Sequence, residues 1–183
     1  MSAVFTGGSR KVTRLNADIR QRLDNMIEKR FSILVGDANG ADKAIQKYLS
    51  EKNYRNVIVF CTGEECRNNI GAWPTRSVTP PHALRDFAFF TAKDAEMARE
   101  ADFALMLWDG ESAGTIVNAA RMVSAQKPVV LYLFREKTFR TLRSREDLDT
   151  LLRDAPRDAA LKVNRYILDH AREFHQTSIF GAA

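Results

Sequence analysis

The sequence contains few of the residues on which disulfide-rich and metal-binding proteins depend. Its 183 residues include two cysteines, three histidines and five prolines. Two cysteines are too few for a disulfide framework, and Cys61 and Cys66, in the stretch CTGEEC, do not have the C-x-x-C spacing of a zinc site. We therefore expect reduced, partly buried thiols, no metal site and no cofactor.

Long apolar runs and a leader-like start are also missing. The longest apolar runs have the length of strands, far below the roughly 20 residues that cross a bilayer. The opening MSAVFTGGSR has no basic region followed by an apolar stretch, so no secretory signal is visible. We expect a cytoplasmic protein that has no membrane partner.

The composition is that of an ordinary globular protein with a modest positive charge. Hydrophobic residues make up 45% of the chain, charged residues 28%, and the net charge is +5. This charge permits phosphate-bearing partners without requiring them. Residues 135–145, REKTFRTLRSR, contain five Arg or Lys and one Glu. No nucleic-acid motif accompanies them, so a solvated connection is the preferred interpretation and a nucleic-acid partner is not expected.

Strand-like and helix-like segments alternate along the chain. The runs AVFTGG, FSILVG, NVIVFC, DFALMLW and PVVLYLF predict five strands, with amphipathic helices between them. Continuous apolar strands that alternate with helices are typical of a parallel sheet covered on both faces. We predict an α/β, Rossmann-like three-layer sandwich over residues 1–136. Residues 62–83, rich in glycine and proline, are expected to form a functional loop without regular structure.

The remainder of the chain, residues 137–183, is predicted to be a helical C-terminal extension packed on the same domain. Val163, Ile167, Ala171 and Phe174 form an apolar stripe with helical spacing. Core packing is the simpler interpretation of this stripe. Docking onto a second copy of the chain, in a homo-oligomer, is the alternative.

Three glycine-containing loops share one position in the repeating unit, between the end of a strand and the start of a helix. They are GGSR (7–10), GDANGAD (36–42) and DGESAGT (109–115). Ligands of open parallel sheets bind at this edge, and helix N-termini present unpaired N–H groups to anions. None of the loops is a Walker motif or a full G-x-G-x-x-G. Each alone is weak, because Asp37 and Asp42 are also suited to capping a helix.

These loops, taken in order, resemble the SLOG superfamily of Rossmann-like domains, which includes the LOG phosphoribohydrolases and the DNA-processing protein Smf/DprA. GSR together with GDANGAD is most similar to its YspA-like branch, and the resemblance covers residues 3–134. It implies a five-stranded sheet of order 3-2-1-4-5 that binds a nucleotide or nucleotide-derived ligand. The implied ligand or phosphate-binding residues are Gly8, Ser9, Arg10, Gly36, Asp37, Gly40, Gly110, Ser112, Gly114, Thr115 and Asn118.

The sequence departs from the LOG pattern at the catalytic position. LOG-type hydrolases carry a glutamate three residues after the Thr of their phosphate loop, where this chain has Asn118. An amide orients a hydroxyl but cannot act as a general base or nucleophile. Asp94, Asp109 and Glu111 are weak candidates to replace that glutamate, so enzymatic activity is left open.

Three functions therefore follow from the sequence. The first is binding or sensing of a nucleotide or nucleotide-derived small molecule at the C-terminal edge of the sheet. The second is hydrolysis of an N-glycosidic bond in such a ligand. The third, and weakest, is a nucleic-acid-associated function that uses residues 135–145 and the tail.

Overall fold

The computed structural model describes residues 1–80 and 87–169. Within these residues, seven strands and six helices follow one another along the chain. The strands are β1 (Ala3–Gly8), β2 (Ser32–Gly36), β3 (Val57–Thr62), β4 (Thr75–Val78), β5 (Phe103–Trp108), β6 (Val129–Leu133) and β7 (Thr138–Leu142). The helices are α1 (Ala17–Glu28), α2 (Ala41–Glu51), α3 (Phe87–Glu100), α4 (Ala113–Ser124), α5 (Arg145–Asp154) and α6 (Arg157–Asp169). None of the helices described is long and apolar enough to span a bilayer.

All strands lie in one mixed sheet of order β4-β3-β2-β1-β5-β6-β7. Every neighbouring pair is parallel except β6 and β7, which are antiparallel. The α/β class with helices around a mainly parallel sheet is confirmed. The predicted five strands and the order 3-2-1-4-5 are wrong for the whole sheet, because β4 and β7 add a strand at each edge.

Both additional strands are edge strands without a continuous apolar run, which is why the sequence pattern missed them. β4 has three exposed residues followed by a half-buried one, and it lies inside the stretch that was expected to be irregular. β7 lies inside the basic segment and places Leu142 in the core. An edge strand packs fewer side chains than a central one, so its sequence is less apolar. The extension therefore begins with a strand and not with a helix.

The cores on the two faces of the sheet contain different helices. Ile19 of α1 and Ile45 of α2 are buried on one face. On the other face, Met97 of α3, Ile116 of α4 and Val163 of α6 are buried in a single cluster. The described part of the extension thus packs on the same core as α3 and α4, and α5 begins with a capping box formed by the Ser144 and Asp147 side chains. The predicted continuation of the apolar stripe beyond residue 169 lies outside the described residues.

The central pair of strands, β1 and β5, determines where a ligand site is possible. Gly8 of β1 pairs with Leu107 of β5, and the Ser9 amide donates to the Leu107 carbonyl at 2.9 Å. A Cβ atom on Gly8 would lie 2.8 Å from the Leu107 Cβ, so only glycine permits this approach. The loops that follow β1 and β5 consequently lie side by side, where the chain turns to opposite faces of the sheet.

We predict that Val163→Ala lowers the free energy of unfolding by about 2 kcal/mol, because it removes two methyl groups from a fully buried position. Leu168→Ala, on the same helix, is the control, because Leu168 is 74% exposed. Urea denaturation followed by circular dichroism measures both variants. Equal stability of the two variants would mean that α6 is not part of the core.

Candidate functional site

A cleft of about 680 Å³ opens at the carboxyl edge of the sheet, next to the ends of β1 and β5. Its volume lies within the range of small-molecule sites. It is lined by residues of all three glycine loops, of α3 and α4, and by the more distant Arg67 and Lys162. Ten of the residues singled out from the sequence line it: Gly8, Ser9, Arg10, Asp94, Asp109, Glu111, Ser112, Gly114, Thr115 and Asn118.

The other four predicted binding residues do not line the cleft. Gly40, with φ of +88°, lies against the backbone of Arg10, and Gly110, with φ of +92°, lies against the Arg135 side chain. Gly36 and Asp37 lie behind the cleft wall and contact charged side chains there. Their contacts indicate roles in building the turns, because positive φ and close backbone approach both favour glycine.

The start of α4 has the properties of an anion site. Ser112 is the N-cap residue, and its side chain makes no capping hydrogen bond. The Thr115 hydroxyl donates to the Ser112 hydroxyl at 3.1 Å. Ser112, Gly114 and Thr115 line the cleft at the positive end of the helix dipole.

Asp109 joins the loops that follow β1 and β5. It accepts a hydrogen bond from the Ser9 hydroxyl at 2.8 Å and from the backbone amides of Glu111 and Ser112. Burial works to raise the pKa of Asp109, but the amide and hydroxyl hydrogen bonds outweigh it and the pKa is lowered. An ionised carboxylate with these partners is suited to holding the two loops together and not to donating a proton.

Glu111 lies at the rim of the cleft and is half exposed. It pairs with Lys11 at 2.5 Å and with Arg135 at 3.1 Å. The hydrogen bond and charge of Lys11 lower its pKa. Because two cations already balance this carboxylate, it repels an incoming anion less than its charge suggests.

The floor of the cleft contains a buried ion pair. Lys93, 3% exposed, donates to the Asp94 Oδ1 atom at 2.6 Å. The Asn118 amide donates to the Asp94 Oδ2 atom at 3.1 Å. Burial works to lower the pKa of Lys93, but Asp94 and Asp42 outweigh it and the pKa is raised. The lysine therefore stays charged, and Asp94 lies beside Asn118, the residue that occupies the expected glutamate position.

Asp42, considered from the sequence only as a helix cap, also lines the cleft. It lies in the first turn of α2 and is 7% exposed. Its Oδ2 atom accepts from the Ala38 amide at 3.2 Å. Burial raises the pKa of Asp42 to about 6, against the opposing effect of Lys93. A carboxyl group that titrates near neutral pH is able both to donate and to accept a proton.

The loop that follows β3 supplies Arg67 to the cleft. Its guanidinium forms a two-bond contact with Asp37, with an Nη2–Oδ1 distance of 2.5 Å and an Nε–Oδ2 distance of 3.0 Å. Burial works to raise the pKa of Asp37, but the hydrogen bonds from Arg67 outweigh it and the pKa is lowered. The ion pair fixes this part of the loop against the second glycine loop.

Cys61 and Cys66 form a disulfide that closes the segment before Arg67. The expectation of two reduced thiols is therefore wrong for this structure. Their Cα atoms are 5.1 Å apart, within the usual range for a disulfide. The chain turns back at the end of β3, and a five-residue spacing in sequence does not reveal that turn.

Sequence reasoning missed five charged residues of the cleft, namely Asp42 as a lining residue, Lys11, Arg67, Lys93 and Lys162. The sequence did contain a signal for Lys93. It lies next to Asp94 in a helix that also contains buried residues such as Met97, and a buried lysine needs an acidic partner. Arg67 and Lys162 gave none. They reach the cleft only through the path of a loop and the packing of a C-terminal helix.

The basic segment 135–145 is largely neutralised by nearby carboxylates. Arg135 pairs with Glu111, and Arg145 pairs with Asp149. Arg140 lies within 4 Å of both Glu136 and Asp154. Three of the five cations in this segment thus have acidic partners, which makes it a poor phosphate-binding surface.

Comparison with known proteins gives one likeness of fold. No family model and no curated protein sequence matches the chain. A solved structure of DNA processing protein A from Helicobacter pylori, described for its single-stranded DNA binding mode, superposes with a TM-score of 0.53 and 17% sequence identity. The match covers 92% of this chain and 81% of that chain. At this identity the likeness shows a shared Rossmann-like fold and does not reach the YspA-like branch.

This likeness corrects one expectation about partners. The sequence indicated that a nucleic acid was not an expected partner, because no nucleic-acid motif was present. The structural neighbour is described for its mode of binding single-stranded DNA. The absence of a recognisable motif therefore does not speak against a nucleic-acid partner for this fold.

We predict that the buried Asp42 makes stability depend on pH. Its folded-state pKa of about 6 lies above the ordinary value of 3.8, so its contribution to stability is present at low pH and is lost as pH rises between these values. Asp42→Asn removes this titration. The stability of the variant relative to the wild type should therefore rise by up to about 3 kcal/mol between about pH 4 and 7.

Urea denaturation across this pH range measures the difference. Asp18→Asn, at an exposed position in α1, is the matched control for loss of one carboxylate. A difference between Asp42→Asn and the wild type that stays constant with pH would contradict the assignment of a raised pKa to Asp42.

Proposed function

We propose that the cleft binds a nucleotide unit, with its phosphate at the start of α4 and its sugar over the carboxylates of the floor. The unit is either a free nucleotide or part of a single strand of nucleic acid. The observation that carries the proposal is that the start of α4, which has no side-chain cap, and the carboxyl groups of Asp42 and Asp94 line one cleft.

The proposed phosphate position is supported by the N–H and O–H groups at the start of α4. The N-cap side chain of α4 leaves the amides of its first turn without a cap, and the Thr115 hydroxyl donates to the Ser112 hydroxyl. Thr115 is 3% exposed, so its hydroxyl is oriented by packing before a ligand arrives. Donors that are fixed in advance bind an anion without a further loss of side-chain entropy.

The proposed sugar position is supported by carboxylates, which accept hydrogen bonds from hydroxyl groups but repel a phosphate. Asp42 and Asp94 line the floor, and carboxylate oxygens accept hydrogen bonds from hydroxyl groups. The side chain of Asn118 is engaged with Asp94 through its nitrogen and with Arg121 through its oxygen, at 3.1 and 2.8 Å. A ligand with an anion at one end and hydroxyl groups at the other fits this distribution, as a ribose phosphate does.

The two sources of the nucleotide unit have separate support. A free nucleotide is supported by the GSR and GDANGAD motifs, which resemble the YspA-like branch of the SLOG superfamily. A single strand is supported by the fold that the chain shares with a protein described for single-stranded DNA binding. The net charge of +5 is compatible with both.

Titration calorimetry with AMP and with a short single-stranded oligonucleotide tests the proposal and separates the sources. Binding of AMP alone supports a free nucleotide. Binding of the oligonucleotide that AMP displaces supports a strand held through the same cleft, with an affinity that falls with salt. The proposal is wrong if neither probe binds.

We predict that Thr115→Ala weakens binding of the probe by about three- to tenfold, because the Thr115 hydroxyl no longer orients the Ser112 hydroxyl as a donor to the phosphate. The control is Thr138→Ala, at an exposed position in β7 far along the chain from the first turn of α4. Thermal unfolding of both variants should stay close to the wild type. A lower melting temperature with unchanged affinity would show that Thr115 has a structural role only.

Hydrolysis of the N-glycosidic bond is a second candidate, favoured by the position of Asp94. Its carboxylate lies against Asn118 and so supplies the acid group that the sequence lacks at that place. Asp42, with a pKa of about 6, is the second carboxyl group of the floor. In this reaction Asp94 accepts a proton from the attacking water, and protonated Asp42 donates one to the departing base.

If the chain is a hydrolase, Asp94→Asn should lower release of free adenine from AMP at least 100-fold, because an amide does not accept the proton. Chromatography of the reaction mixture measures the base. Asp149→Asn, at an exposed site on α5, is the control. Adenine release by Asp94→Asn at the wild-type rate would exclude Asp94 as the base, and no release by the wild type would leave binding as the function.

A further inference from the structure

The helix α6 brings a lysine into the cleft from a part of the chain that carries none of the three glycine loops. Lys162 lines the cleft together with residues of the first and third loops. Its side chain remains exposed to solvent. A cation in this position faces the entrance and is not part of the buried floor.

The position of α6 is held by buried contacts on the same side of the helix. Val163 and Ile167 are buried in the core. Tyr166, one turn after Lys162, accepts a hydrogen bond from the Arg121 guanidinium, which lies 5.3 Å from its ring centroid. Residues four apart lie on the same face of a helix. The contact at Tyr166 therefore fixes the rotation of α6 and with it the direction of Lys162.

Arg121 continues this contact towards the floor of the cleft. It is 7% exposed, and its Nη1 atom donates to the Asn118 Oδ1 atom at 2.8 Å. The Asn118 amide donates in turn to Asp94. A chain of hydrogen bonds thus connects α6 with the cleft floor through α4, so α6 and the site are parts of one packed unit.

The cations of the cleft differ in whether they already have an acidic partner. Lys11 pairs with Glu111, Arg67 with Asp37, and Lys93 with Asp94. Within residues 1–80 and 87–169, no carboxylate lies within ion-pair distance of Lys162. An anionic ligand meets this lysine without having to displace an existing ion pair.

We propose that Lys162 binds the phosphate of the ligand, so that α6 completes a site otherwise built from the strand–loop–helix core. This inference rests on the proposed function, because it assigns a residue to the same cleft. Its physical basis is that the start of α4 offers neutral donors to the phosphate, whereas Lys162 lines the same cleft and supplies a full positive charge. Charge-assisted hydrogen bonds are stronger than neutral ones.

The test compares two alanine substitutions of basic residues on the same helix. Lys162→Ala and Arg165→Ala each remove one positive charge from α6, but Arg165 has a side chain that is 86% exposed and pairs with Asp169. Calorimetry with AMP and with the single-stranded oligonucleotide at low salt measures both variants. Adenosine, which lacks the phosphate, is the ligand control.

We expect Lys162→Ala to lower the affinity for the probe by about five- to tenfold relative to the wild type. Arg165→Ala should lower this affinity by less than about twofold. Lys162→Arg should restore most of the affinity, because it restores the charge. Adenosine binding should not distinguish Lys162→Ala from the wild type. Melting temperatures should be equal, since both side chains are exposed.

Equal effects of Lys162→Ala and Arg165→Ala would overturn the inference, because they would reflect only the general charge of the helix. If Thr115→Ala weakens binding and Lys162→Ala does not, the nucleotide site stands and α6 is not part of it. If the wild type binds neither probe, the proposed function fails and this inference fails with it.

Discussion

The close pairing of β1 with β5 is the constraint on which the rest of the molecule depends. The strands approach so closely at Gly8 and Leu107 that a side chain at Gly8 would collide with the neighbouring strand. From this pair the chain leads to helices on opposite faces of the sheet, and the two following loops lie side by side. The bond between the Ser9 hydroxyl and Asp109 holds them together. The cleft exists because this arrangement leaves an open space beyond the strand ends.

The charges around the cleft are arranged in pairs, and this pairing is how an acidic floor is compatible with the anion site that we propose. Asp94 is balanced by the buried Lys93, and Asp37 by Arg67. Asp109 is stabilised by amides and a hydroxyl without a cation, and its lowered pKa shows that these dipoles are sufficient. Asp42 is the exception. Burial outweighs its cationic neighbour and raises its pKa to about 6. That carboxyl group gives the floor a protonation state that changes near neutral pH.

The part of the chain beyond the strand–loop motifs is integrated into the core. β7 completes one edge of the sheet, and α6 packs on α4 through buried aliphatic residues and the Arg121–Tyr166 contact. Its basic segment, which drew attention as a possible nucleic-acid surface, is engaged in local ion pairs. The segment is thus a structural connection. The likeness to a protein described for single-stranded DNA binding concerns the fold alone.

The sequence by itself determined the α/β class, the five central strands and the loops that line the cleft, because apolar periodicity and glycine position are local properties. It did not determine β4 and β7, whose edge positions require little apolar surface. It also did not determine that Asp42, Lys93 and Asp94 share one floor, or that Arg67 and Lys162 reach the same cleft. Those proximities arise from the sheet order, the disulfide-closed loop and the docking of α6. Tertiary packing alone decided them, since a pKa shift or a shared pocket depends on neighbours that are distant in sequence.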